Sequence, residues 1–94
     1  MKVFEKTSGI VSRRIAGELF VVPVSGDLAD MQRMFALTGV AGFIWDRLDG
    51  RNSLDRIRDQ VMEEFDADRN RVDADIQEFV RELLNEGLIS EAAK

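Results

Sequence analysis

The chain has 94 residues, a formal net charge of −5, and no cysteine, histidine or tyrosine. This composition excludes disulfides, thiolate metal sites, cysteine nucleophiles and histidine bases, which leaves few of the usual catalytic groups. The acidic balance disfavours nucleic acid, and no apolar run approaches the roughly 20 residues of a membrane span. We therefore expect one cytoplasmic, cofactor-free, non-enzymatic domain over residues 1–94, with flexible ends at 1–9 and 91–94.

The first half of the chain has the pattern of a small antiparallel sheet. Residues 10–16 and 18–24 are rich in β-formers and meet at Ala16-Gly17, so they predict a hairpin, because glycine adopts positive φ cheaply. The second of these strands is apolar on both faces. It is either a central strand covered on both sides or an apolar surface that awaits a partner. Residues 32–37 predict a third strand, although methionine, alanine and leucine also favour a helix.

The second half has the pattern of three short helices. Thr38 is the predicted N-cap of a helix over residues 39–48, and a second helix is expected to begin at residue 52 or 53. Asp68 is the predicted N-cap of the third helix, which Gly87 closes. Together these elements predict an α+β, winged-helix-like fold, in which a three-stranded antiparallel sheet is followed by a three-helix bundle.

The third helix has a wide apolar face. Its apolar residues are Val72, Ile76, Phe79, Val80, Leu83 and Leu84. All six can belong to the core. Alternatively, the flank formed by Val80 and Leu84 lines a groove beside a neighbouring strand, and such a groove can accept an extended peptide through strand addition.

Winged-helix proteins often bind DNA, so a DNA-binding regulator is one alternative. The segment from residue 63 to residue 86 carries nine acidic residues and three basic ones. Because DNA binding depends on cations that neutralise phosphates, this surface argues against DNA. A second alternative is an interaction module that dimerises through the two-faced second strand.

A family resemblance rests on the segment Phe-Ala-Leu-Thr-Gly-Val-Ala-Gly-Phe-Ile-Trp at residues 35–45, followed by Leu48-Asp49-Gly50. Arg14-Ile15-Ala16-Gly17-Glu18 precedes it, and Phe65-Asp66-Ala67-Asp68 and Gly87-Leu88-Ile89 follow it. This ordered set, over about residues 10–90, resembles the PqqD family of pyrroloquinoline quinone biosynthesis. More broadly, it resembles the recognition elements of ribosomally made, modified peptides.

The resemblance implies a stand-alone adaptor that binds the leader segment of a precursor peptide. The leader adds as a strand between the third strand and the third helix, and is presented to a modifying enzyme such as a radical S-adenosylmethionine protein. It implies no metal or other cofactor, and we expect a monomer or a weak dimer. Carried onto this sequence, the implied peptide-binding residues are Arg33, Met34, Phe35, Ala36, Asp73, Ile76, Gln77, Val80 and Leu84.

Overall fold

The computed structural model describes residues 2–24 and 34–92, and these residues form six strands and three helices. The strands are β1 (Val3–Lys6), β2 (Ile10–Ile15), β3 (Glu18–Pro23), β4 (Phe35–Leu37), β5 (Asp49–Ser53) and β6 (Ile89–Glu91). The helices are α1 (Val40–Arg47), α2 (Leu54–Glu64) and α3 (Arg69–Asn85). The predicted α+β, winged-helix-like arrangement is confirmed, with a three-stranded antiparallel sheet of order β2-β3-β4 ahead of the three helices.

The predicted hairpin is formed by β2 and β3, whose turn is Ala16-Gly17. Both turn residues have positive φ, 52° and 84°, as a two-residue hairpin turn that matches the twist of its strands requires. Ile15 pairs with Glu18 directly beside the turn. Strand β3 pairs with β2 on one side and with β4 on the other, so it is the central strand of its sheet.

A second sheet, of order β5-β1-β6, was not predicted. Residues 1–9 show no clear period, yet Val3–Lys6 forms the central strand of this sheet, and Phe4 is only 4% exposed. Residues 1–9 were expected to be a flexible end, whereas residues 3–6 form a strand. Asp49–Ser53, expected to end one helix and start the next, forms β5, although its composition is that of a turn. Pairing with β1, which is irregular between Val3 and Glu5, imposes the extended conformation.

The helix N-termini match the sequence in two of three cases. Ser53 accepts a hydrogen bond from the backbone N–H of Arg56, and Asp68 accepts one from Arg71. The prediction for α1 was wrong, because its N-cap is Gly39 rather than Thr38, and no side chain caps that end. Gly39 has φ 55° and ψ −123°, a conformation that glycine adopts far more readily than threonine.

The core lies between the three helices and the inner face of the β2-β3-β4 sheet. Its buried apolar residues are Phe4, Leu19, Val21, Ile44, Trp45, Leu48, Ile57, Val61, Val72, Ile76, Val80, Leu83, Leu88 and Ile89. Both sheets and all three helices contribute to this one cluster. Among the described residues, no helix is both long and apolar enough to cross a bilayer.

Candidate functional site

A cavity of about 320 Å³ lies between strand β4 and the C-terminal half of helix α3. It is lined by Val21, Phe35, Leu37, Trp45, Phe79, Glu82, Leu83, Asn85, Glu86 and Leu88. The floor and walls are mostly apolar, and the polar groups all come from the last turns of α3. Because β4 is at the edge of its sheet, this groove lies beside a strand that can extend the sheet.

The floor of the groove is Trp45, the single tryptophan of the chain. Its side chain has no exposed surface, and its Nε1 donates a hydrogen bond to the Ser12 hydroxyl at 2.9 Å. The Nζ of Lys6 lies 5.1 Å from the ring centroid, within the range of a cation–π interaction. The indole is thus held from two sides by polar contacts, so the floor has a defined position.

Lys6 of strand β1 is itself held against the C-terminal end of helix α1. Its Nζ donates a hydrogen bond to the carbonyl oxygen of Leu48 at 3.1 Å. Burial lowers the pKa of Lys6 below its usual value, and the nearby Asp46 and Asp49 carboxylates offset part of this effect. The hydrogen bond to Leu48 holds the ammonium group over the ring of Trp45.

The far wall of the groove depends on how α3 ends. Gly87 has φ 75°. Its N–H donates a hydrogen bond to the carbonyl oxygen of Leu84, and the N–H of Leu88 donates one to the carbonyl oxygen of Leu83. This pair of bonds is the Schellman motif, which satisfies the last helical carbonyls and reverses the chain. The hydroxyl group of Thr7 donates a hydrogen bond to the carbonyl oxygen of Gly87 at 2.8 Å. The reversal brings Leu88 back into the core and into the groove wall.

The four site residues predicted on the third strand divide between two faces. Phe35 lines the groove, and so does Leu37, which was not predicted. Met34 is 65% exposed and lines a different concavity on the outer face of the sheet, while Ala36 is exposed. Arg33 lies outside the described residues.

The five site residues predicted on α3 do not line this groove. Asp73 bonds to Arg58 of α2 at 3.5 Å, and Gln77 is exposed. Ile76 and Val80 belong to the core, at 2% and 5% exposure, and Leu84 is 41% exposed. Nothing in the structure tests whether they touch a peptide, so this role stays a prediction.

Instead, α3 and its C-cap line the groove through Phe79, Glu82, Leu83, Asn85 and Glu86. All but Asn85 are spaced three, one and three apart, so these four form one stripe along the helix. From the sequence, the groove was predicted beside the flank of Val80 and Leu84. One feature of the sequence could have identified this stripe. Glutamates follow Phe79 at helical spacing, which is typical of the border between core and solvent.

A second apolar surface lies on the outer face of the β2-β3-β4 sheet. It is lined by Val11, Arg13, Ile15, Phe20, Val22, Val24 and Met34. Val11, Ile15, Val24 and Met34 are 46–65% exposed. Residues 2–24 and 34–92 do not cover this face. Of the two alternatives drawn from the sequence of β3, an apolar surface that awaits a partner therefore describes the outer side of the strand.

The described residues offer little for catalysis by a metal. They contain no group of three or more Asp and Glu side chains that could hold a metal ion. The groove is lined by two carboxylates and one amide. Apart from these three groups, the groove presents apolar side chains.

Comparisons with known proteins agree with this geometry. A family model described as "Coenzyme PQQ synthesis protein D (PqqD)" matches residues 18–89. The solved structure "TbiB1 in Complex with the TbiA(beta) Leader Peptide" is 26% identical, with a TM-score of 0.79, and the alignment covers 96% of this chain and 99% of that chain. A second structure, "Lasso peptide synthetase B1 complexed with the leader peptide", is 17% identical, with a TM-score of 0.79 and coverage of 93% and 96%. The second likeness shows a shared fold. A search of curated proteins finds no match.

Proposed function

The chain belongs to the PqqD family, which confirms the resemblance drawn from its sequence, and we propose that it captures the leader segment of a precursor peptide. The observation that carries this proposal is the apolar groove between the edge strand β4 and helix α3. The two similar solved proteins are complexes with leader peptides. The groove supports the same class of ligand here.

In the proposed complex, the leader adds as a strand to β4. Backbone hydrogen bonds to the edge strand supply affinity, and alternate side chains enter the groove toward Phe35, Phe79 and Leu83. The floor formed by Trp45 is already held by Ser12 and Lys6. A preformed floor lowers the ordering cost of binding.

We further propose that the chain is an adaptor and that a separate enzyme, such as a radical S-adenosylmethionine protein, modifies the peptide. An adaptor raises the effective concentration of its cargo near the catalyst, to roughly millimolar with a short tether. An affinity near micromolar, about −8 kcal/mol, suits a carrier that must also release its cargo.

A titration of the full chain with the leader peptide encoded beside its gene tests this proposal. Amide resonances of β4 and of residues 79–86 should shift, and the fluorescence of Trp45 should change. Two N-methylated versions of the leader peptide are also titrated, one methylated at the odd-numbered amides and the other at the even-numbered amides. Because strand addition uses every second amide of the guest, one version should lose binding and the other should retain it. Binding that shifts other residues and tolerates both methylation patterns would reject strand addition at β4.

The outer apolar face favours one other function, that of a dimerising interaction module. Four exposed apolar side chains lie on it, and association would remove them from water. Sedimentation velocity across a hundredfold range of concentration separates the two functions. A dimer that competes with the leader peptide would favour the module, and a monomer that binds the peptide would favour the adaptor.

A further inference from the structure

The charged groups that line the groove are both negative. Glu82 and Glu86 lie one helical turn apart on α3, and no lysine or arginine in the described ranges lines the cavity. The remaining lining residues are apolar, apart from Asn85. A guest chain therefore meets an apolar floor with a carboxylate rim.

Glu82 carries a negative charge that the described part of the protein does not neutralise. Its side chain is exposed, and no ion pair among residues 2–24 and 34–92 includes it. Glu78 lies four residues before Glu82 on the helix, and like charges at this spacing repel one another. A cation placed beside Glu82 would relieve this repulsion.

The spacing of the groove fits two alternate side chains of an extended guest. Residues two apart in a strand point to the same side and lie roughly 6.6 Å apart. Along α3, Phe79 and Glu82 are separated by an axial rise of about 4.5 Å, and a lysine or arginine side chain is long enough to span the difference of about 2 Å. One guest side chain can therefore contact Phe79 while the next one on that side reaches the Glu82 carboxylate.

Resting on the function proposed above, we propose that the groove selects leader segments in which an apolar residue lies two positions from a lysine or arginine. The apolar side chain fills the cavity over Trp45, between Phe79 and Leu83. The basic side chain pairs with Glu82 at the rim. The net charge of −5 adds attraction for a basic segment at long range.

The test uses an mRNA-display library of random 12-residue peptides, selected against the full chain. We expect enrichment of lysine or arginine two positions from an apolar residue. Selection against Glu82→Lys should replace this preference with aspartate or glutamate. The matched control is Glu64→Lys, which makes the same charge change on an exposed residue of α2 outside the groove lining. This control should keep the preference for basic residues.

The affinity of one selected peptide provides the second measurement. Glu82→Lys should weaken it about fivefold and Glu64→Lys less than twofold, at low ionic strength. Peptides that shift the amides of β4 and α3 without any basic preference would overturn the inference and leave the proposed function standing. A library that yields no peptide in the groove would overturn both.

Discussion

The indole Nε1 of Trp45 donates a hydrogen bond to the hydroxyl oxygen of Ser12 at 2.9 Å. This bond links helix α1 to strand β2, at the opposite edge of the sheet from β4. Trp45 has no exposed surface, and a buried N–H that loses its partner keeps the full cost of its desolvation. One hydroxyl therefore helps to position the floor of the groove.

Replacing this hydroxyl should destabilise the fold. We expect Ser12→Ala to lower the free energy of unfolding by about 1–3 kcal/mol, since the indole N–H is left without a partner. Urea unfolding followed by circular dichroism measures the change. Ser90→Ala is the matched control, because Ser90 is an exposed strand residue and its change should stay within about 0.5 kcal/mol. Equal effects of the two variants would show that the hydrogen bond does not stabilise the protein.

The groove predicts a contrast between two apolar residues of α3. Phe79 lines the cavity, whereas Leu84 is 41% exposed and lies outside its lining. Phe79→Ala should weaken binding of the leader peptide about tenfold or more, as truncation of a contact residue in an apolar pocket does, and Leu84→Ala should change it less than twofold. Isothermal titration calorimetry gives both values. A larger loss at Leu84 would favour the site drawn from the sequence over the groove.

Asp49 predicts a pH dependence of stability. Burial acts to raise the pKa of its carboxyl group, but hydrogen bonds from the backbone N–H groups of Arg51 and Asn52 outweigh this effect, so the pKa lies below the ordinary 3.8. The stabilisation is therefore complete above the pKa of the unfolded chain and disappears as the pH falls through the folded value. The advantage of the native protein over Asp49→Asn should be present at pH 7 and disappear as the pH falls through the lowered pKa of Asp49.

Urea unfolding of both proteins between pH 7 and pH 2 measures this difference. Asp66→Asn is the control, because Asp66 is exposed and accepts no hydrogen bond among the described residues. An advantage of the native protein over Asp49→Asn that stays constant down to pH 2 would contradict the assignment.

The turn of the hairpin offers a stabilising substitution. Ala16 has φ 52°, a left-handed conformation that costs a residue with a Cβ roughly 1 kcal/mol and that asparagine tolerates better. Ala16→Asn should raise the free energy of unfolding by about 0.5 kcal/mol, and Ala16→Val should lower it, since β-branching disfavours this conformation. Thermal unfolding of the pair gives the sign of each change. A loss of stability with asparagine would mean that the turn has a different conformation in solution.

Local patterns predicted the elements that have local causes. The apolar spacing of α2 and α3, the cap Asp68, and the turn Ala16-Gly17 depend on neighbours in the sequence, and the structure confirms them. The third strand is confirmed over Phe35–Leu37, while residues 32 and 33 lie outside the described part. Strand β5 has no such local signal. It is extended because β1 pairs with it from more than 40 residues away, and a single sequence does not show that pairing.

The sequence by itself determined the first hairpin, the third strand, the three helices, the family, and a peptide-binding groove next to the third strand as the leading interpretation. Only the tertiary structure decided which side of α3 faces that groove. Successive helical residues differ by about 100° around the axis, so a rotation of about that size exchanges Phe79, Glu82 and Glu86 for Val80 and Leu84. That rotation is set by how the helix packs against α2 and how Leu88 returns to the core, and both depend on residues distant in the chain.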